Sequence, residues 1–143
     1  MEKTIRDRAI DFYEAVWSQG LVDRCREFCA EDVLDVHHGQ RGVQAMSDVV
    51  SSLRATFPDL TLTVDDVIAE GMRVVTRWTM RGTDEGGLFS LPPTHRRVEF
   101  SGFFMDQFES GRIIIHHGIS DMLGLLQELG VVPADWAGDR FLK

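Results

Sequence analysis

No stretch of this 143-residue chain approaches the run of ~20 apolar residues that a membrane-spanning helix needs. The first residues, MEKTIRDRAI, carry charges where a secretion signal needs an apolar stretch, so the cytoplasm is the expected location. Basic residues are in deficit, with 15 Lys and Arg against 23 Asp and Glu and a formal net charge of -8. The cations do not cluster beyond pairs such as Arg96-Arg97. Neither nucleic acid nor an anionic membrane is therefore an expected partner. Cysteine is scarce: Cys25 and Cys29 stand alone, with no His or second cysteine pair near them in sequence. Two small core residues of a reducing compartment explain them better than a redox or metal site. Repeats, linkers and low-complexity segments are absent too. What remains is ordinary globular composition, 43% hydrophobic, in a length that fits one domain over residues 1–143 with a core of its own.

Apolar residues at Ile5, Ala9, Phe12, Tyr13, Val16 and Trp17 recur at spacings of three and four, which predicts an amphipathic helix ending at Gly20. Leu21 to Cys29 predicts a short second helix. Val33 to His38 alternates as a strand, and Val43 to Leu53 returns to helical spacing until Phe57-Pro58 stops it. From Leu60 the period is two. Strands are expected from Leu60 to Ile68 (breaking register near Asp65-Asp66), Val74 to Thr83, Arg96 to Phe108 and Arg112 to Ile119. Glu109-Ser110-Gly111 makes the last hairpin turn, and Asp121 to Leu129 the last helix. Helices followed by hairpin-linked strands predict an α+β fold. Its antiparallel sheet would curve around a pocket with the helices on one face.

Chemistry concentrates in "HHGISD", residues 116 to 121. Strict alternation along the last strand puts Ile113, Ile115, His117, Ile119 and Asp121 on one side and His116 on the other. His117 and Asp121 are therefore expected to share the pocket. A poorly solvated carboxylate beside an imidazole suits proton abstraction next to a carbonyl. Asp121 also precedes the helix-like MLGLLQEL, where either it or Ser120 makes a good N-cap. His38 is the inward member of the His37-His38 pair by alternation with Leu34 and Val36. Arg77 would reach the pocket if Trp78 packs under a helix. Asp84, just past that strand, would stand at the pocket mouth. Phe103, Met105 and Gln107 share one strand face and Phe100, Phe104 and Phe108 the other; the polar Gln107 favours the first set as pocket lining. A metal site from His38, His117 and Asp121 lacks any compact ligand motif, so no metal is expected.

The segments "FPDL", "AEG.RVV.RW...GT..G", "PPT", "SGRI" and "D..GLLQELG" together resemble the SnoaL-like polyketide (ester) cyclase family. The likeness is good over residues 57–130 and extends to the element order of the helical first third. It implies an NTF2-like, cone-shaped barrel around a cavity for an apolar or polycyclic small molecule, with a homodimer as the expected assembly. It also implies intramolecular aldol ring closure without metal or organic cofactor, with Asp121 as general acid/base. A hydroxylase, dehydratase or isomerase in the same cavity, or a non-catalytic binding or dimerisation module, are the alternatives. Where the family usually reads "EHWG", this chain has Ile115-His116-His117-Gly118. Its "GTD" and "PPTH" put Asp84 and His95 at family His and Gly positions.

Overall fold

The computed structural model describes residues 3–136, so the ends of the expected 1–143 domain, residues 1–2 and 137–143, lie outside the described residues. Helix α1 (Ile5–Phe12) begins where the Thr4 hydroxyl accepts from the Asp7 N–H and the Asp7 carboxylate accepts from the Thr4 N–H, a reciprocal cap. The helix then widens over Tyr13–Ser18 into a π-helical stretch, with the Gln19 N–H donating to the Glu14 carbonyl. Such widenings rotate side chains out of the 3.6-residue phase and recur at functional sites. Arg54 fixes the end of this stretch by donating from one guanidinium nitrogen to the carbonyls of Trp17, Ser18 and Leu60. The short α2 (Cys25–Phe28) leads directly into β1 (Cys29–Asp35). A two-residue strand β2 (Gln40–Arg41) and α3 (Val43–Thr56) follow.

There follows a meander of β3 (Thr61–Glu70), β4 (Arg73–Thr83), β5 (Arg97–Glu109) and β6 (Arg112–Ser120), and then α4 (Met122–Glu128). The six strands lie in the order β2-β1-β6-β5-β4-β3. The expected cone-shaped α+β fold is present, as a curved sheet that stays unclosed. Its sheet is mixed where an antiparallel one was expected, because β1 runs parallel to β6. The helical connection through α3 and the long β3–β5 meander let β1 reach β6 in that direction. The first strand also differs from expectation. It begins at Cys29 and stops at Asp35, so His37 and His38 lie in a turn ending at Gly39, whose φ is +64°. The register break near Asp65-Asp66 is where expected, between Val64 and Asp66.

Two features of the sheet decide which side chains face inward. On β5, Val98, Phe100, Phe104, Asp106 and Phe108 are buried, while Phe103 and Met105 are exposed on the outer face. On β6, Phe108 pairs with Ile113 but Gln107 pairs with Ile115, so Ile114 is an extra, bulged residue. A bulge reverses the alternation beyond it. Ile113 and then His116 are consequently buried, and His117 is turned outward. Gly102 of β5 sits against Trp78 and the neighbouring strand: an added Cβ would stand 2.2 Å from the Ile119 carbonyl oxygen and 2.4 Å from the Trp78 ring. Gly102→Ala is expected to destabilise the fold by about 1–3 kcal/mol through backbone displacement, measurable by urea denaturation.

Candidate active site

The concave side of the sheet, the first helix, α3 and α4 enclose a cavity of about 680 Å³. Its apolar wall includes Trp17, Trp78, Met80, Phe100, Phe104 and Leu125. The aromatic rings interlock: Phe104 stacks on Tyr13 at 4.6 Å and on Trp78 at 5.1 Å between centroids. Such a wall suits a flat apolar ligand and fixes its plane. The polar lining is provided by Asp35, His37, His38, Asp48 and His116, among others.

His116 and Asp35 are the most buried of these groups, each only 3% exposed. The His116 Nδ1 lies 2.7 Å from Oδ1 of Asp106, which is wholly buried. A carboxylate can only accept, so Nδ1 carries the donated proton. The second carboxylate oxygen of Asp106 accepts from the Tyr13 hydroxyl. Burial, and then the neighbouring Asp106 charge, push the Tyr13 phenol well above its ordinary value, so it stays protonated and donates. For His116, burial alone would push the imidazole down; the charge and hydrogen bond of Asp106, helped by Asp35, outweigh it and raise the group above its ordinary value. With Nδ1 committed to Asp106, Nε2 makes no hydrogen bond to a described residue. A Cβ on Gly118 would stand 3.6 Å from that nitrogen, so the glycine leaves space over it. An oriented imidazole with one nitrogen anchored to a buried carboxylate and the other facing an apolar cavity is equipped to accept and return a proton.

The residues expected from sequence fall in three places. His38 lines the cavity, from the turn after β1, with Nδ1 2.7 Å from Oδ2 of Asp35. His117, Arg77, Phe103, Met105 and Gln107 are on the outer face of the sheet, because the Phe100-Phe104-Phe108 face of β5 and the Trp78 face of β4 are the ones turned inward. Asp84 does not line the cavity. It is buried and accepts from the Gly87 N–H and from the N–H and hydroxyl of Thr94, so it holds the loop whose Leu88 and Phe89 form part of the cavity wall. Burial alone would push its carboxyl up, but the bonds from Thr94 and Gly87 outweigh that and hold it below the ordinary range. Among the described residues, no three His, Cys, Asp or Glu side chains come together as metal ligands. Cys25 and Cys29 are buried thiols with sulfurs 3.9 Å apart.

Asp121 is exposed, caps α4 by accepting from the Gly124 N–H at 2.9 Å, and borders a separate outer hollow with Arg77 and Phe103. Asp121→Ala is therefore expected to lower stability by about 1 kcal/mol and Asp121→Asn by almost nothing, since Asn caps as well as Asp. Thermal denaturation of the two variants checks this.

Sequence reasoning missed Asp106 and Tyr13. The signal for Asp106 was present: it alternates in phase with Phe100, Phe104 and Phe108, and a carboxylate in an otherwise aromatic strand face must have a buried partner. Tyr13 carried no such signal, being one apolar position of a helix among several.

The family model described as SnoaL-like polyketide cyclase matches residues 7–129. No curated protein matches the sequence. Among solved structures, the chain is similar to IdmH from Streptomyces antibioticus, described as a candidate polyketide cyclase. The identity is 29%, with 90% of this chain and 99% of that one covered and a TM-score of 0.77. It is similar to AclR from Streptomyces galilaeus, described as a candidate hydroxylase, at 26% identity, covering 91% and 89% with a TM-score of 0.78. TsrD from Streptomyces laurentii, at 23% identity, covers 92% and 99% with a TM-score of 0.84 and bears on the fold alone.

Proposed function

Because this chain belongs to the SnoaL-like polyketide cyclase family, we propose that it is a cyclase-type enzyme closing a ring by intramolecular aldol addition on a flat, apolar small molecule. The observation that carries the reading is the Tyr13–Asp106–His116 chain ending in an imidazole nitrogen that faces the cavity. In this reading His116 takes the acid/base role that the family resemblance assigns to Asp121. Nε2 removes a proton from carbon beside a carbonyl, and the enolate attacks a second carbonyl of the same molecule. Asp106 stabilises the imidazolium that forms, and Tyr13 holds Asp106 in place. The aromatic wall excludes water and keeps the reacting carbons in one plane. Conjugation in the substrate carries much of the enolate charge, so the step calls for no metal or organic cofactor.

A naphthyl β-hydroxyketone tests the reading from the product side. Its retro-aldol cleavage gives naphthaldehyde and acetone, and its α-protons report exchange with deuterium oxide. Cleavage and exchange above the buffer rate are expected; the absence of both overturns the reading. The likeness to AclR supports oxygen insertion in the same cavity as the second reading. Oxygen uptake in the presence of an aromatic probe separates the two, since an aldol step consumes none.

A further inference from the structure

The cavity holds a second histidine–aspartate pair, which the scheme above does not use. His38 stands in the turn after β1, and its Nδ1 is 2.7 Å from Oδ2 of Asp35. The Asp35 side chain is 4% exposed, whereas that of His38 is 47% exposed. The backbone adds a further hold, because the His38 N–H donates to Oδ1 of the same carboxylate. Asp35 is thus spent on orienting one imidazole. As in the deeper pair, Nδ1 is committed to a carboxylate and Nε2 makes no hydrogen bond to a described residue.

The two pairs are neighbours by construction of the sheet. Strand β1 runs parallel to β6 with Asp35 in register with His116, and the Val36 N–H donates to the His116 carbonyl at 3.0 Å. Both imidazoles line the same cavity. Their surroundings differ in the way two successive proton transfers require. The deep one is shielded from water by Trp17, Tyr13 and Phe104, whose rings lie 6.0, 6.4 and 4.9 Å from it between centroids. The other is half in solvent and can exchange its proton with water.

We propose that His38, oriented by Asp35, is a second catalytic residue and supplies the proton to the acceptor oxygen while His116 removes the proton from carbon. The inference rests on the cyclase reading. In the forward step, the C–H bond breaks to His116 Nε2 and the carbon–carbon bond forms at the acceptor carbonyl. The carbonyl π pair moves to oxygen, which takes the proton from His38. His38 is reprotonated by water and His116 gives its proton to water, so the substrate is isomerised with no net gain or loss of atoms.

By microscopic reversibility, His38 removes the hydroxyl proton when the naphthyl β-hydroxyketone is cleaved, while exchange of the α-protons depends on His116. In His38→Gln, the ratio of cleavage to exchange is expected to fall by about tenfold or more. Asp35→Asn should move the ratio in the same direction. In His116→Gln both rates fall together. Circular dichroism verifies the fold of His38→Gln, which alters a half-exposed turn residue. An unchanged ratio in His38→Gln overturns the assignment, as does a parent protein that exchanges α-protons without cleaving; either leaves the role of His116 standing. A parent protein that does neither overturns the cyclase reading, and this inference with it.

Discussion

His116→Gln is expected to lower cleavage and α-proton exchange of the naphthyl β-hydroxyketone by about 10²–10⁴-fold, the usual contribution of a positioned acid/base. Glutamine keeps a hydrogen-bonding group near Asp106 but cannot accept a proton at Nε2. The loss should appear in kcat more than in KM, because the aromatic wall that binds the probe is untouched. Asp121→Asn is the paired measurement. Its carboxylate caps α4 at 2.9 Å from the Gly124 nitrogen and does not line the cavity. It should therefore retain turnover within about twofold, since an exposed cap contributes to stability and not to proton transfer. Loss of turnover in Asp121→Asn with retention in His116→Gln would return the acid/base role to the carboxylate that the family resemblance implies.

Asp106→Ala is expected to destabilise the protein by about 3–5 kcal/mol, the range for breaking a buried charged pair by removing one partner. The residue is wholly buried and accepts from both Tyr13 and His116. Alanine leaves a phenol and an imidazole without partners, next to a void the size of a carboxylate. The pH dependence gives the test its sign. The His116 imidazole is raised above its ordinary value in the folded protein, although burial opposes this, chiefly because Asp106 is beside it. A raised histidine contributes stability that is fully present below the unfolded value of about 6.5 and is lost as pH rises through the folded value. The difference in unfolding free energy between parent and Asp106→Ala should therefore be larger near about pH 6 than near about pH 8.5. Urea denaturation at both pH values measures it. A difference below about 1 kcal/mol, or one that grows with pH, would show that the pair is not the buried ionic anchor described here.

Most of the fold was legible because helix and strand periods differ and turns carry their own residues. The spacing of Ile5, Ala9, Phe12 and Val16 and the stop at Phe57-Pro58 predicted α1 and the end of α3. Glu109-Ser110-Gly111 marked the last hairpin by its turn residues, and Ser110 and Gly111 adopt positive φ there. The site was legible in part. His38 lines the cavity from a turn instead of the strand its alternation predicts, and of the histidine pair at residues 116 and 117 only His116 lines it. Unbroken alternation from Ile113 onward would turn His117 inward, whereas the bulge turns His116 inward instead. The bulged Ile114 leaves no mark in a run of three isoleucines, since any of them fits either face of a strand. The same ambiguity affected β5, where both candidate faces are apolar and only helix packing decides between them.

The sequence by itself therefore determined the order of elements, the family, and the presence of histidines and carboxylates near the end of β6. These depend on local spacing and on motifs that each lie within a few residues. Tertiary structure alone decided that Tyr13, Asp106 and His116 meet, that Asp35 lies beside His116, and that Asp121 stays outside as a helix cap. Those facts depend on one bulge, one parallel strand pairing and a π-helical stretch. The bulge and the π-helical stretch each shift side-chain direction by a single residue, and the parallel pairing puts Asp35 in register with His116; Tyr13 and His116, which meet as a result, are 103 residues apart in sequence.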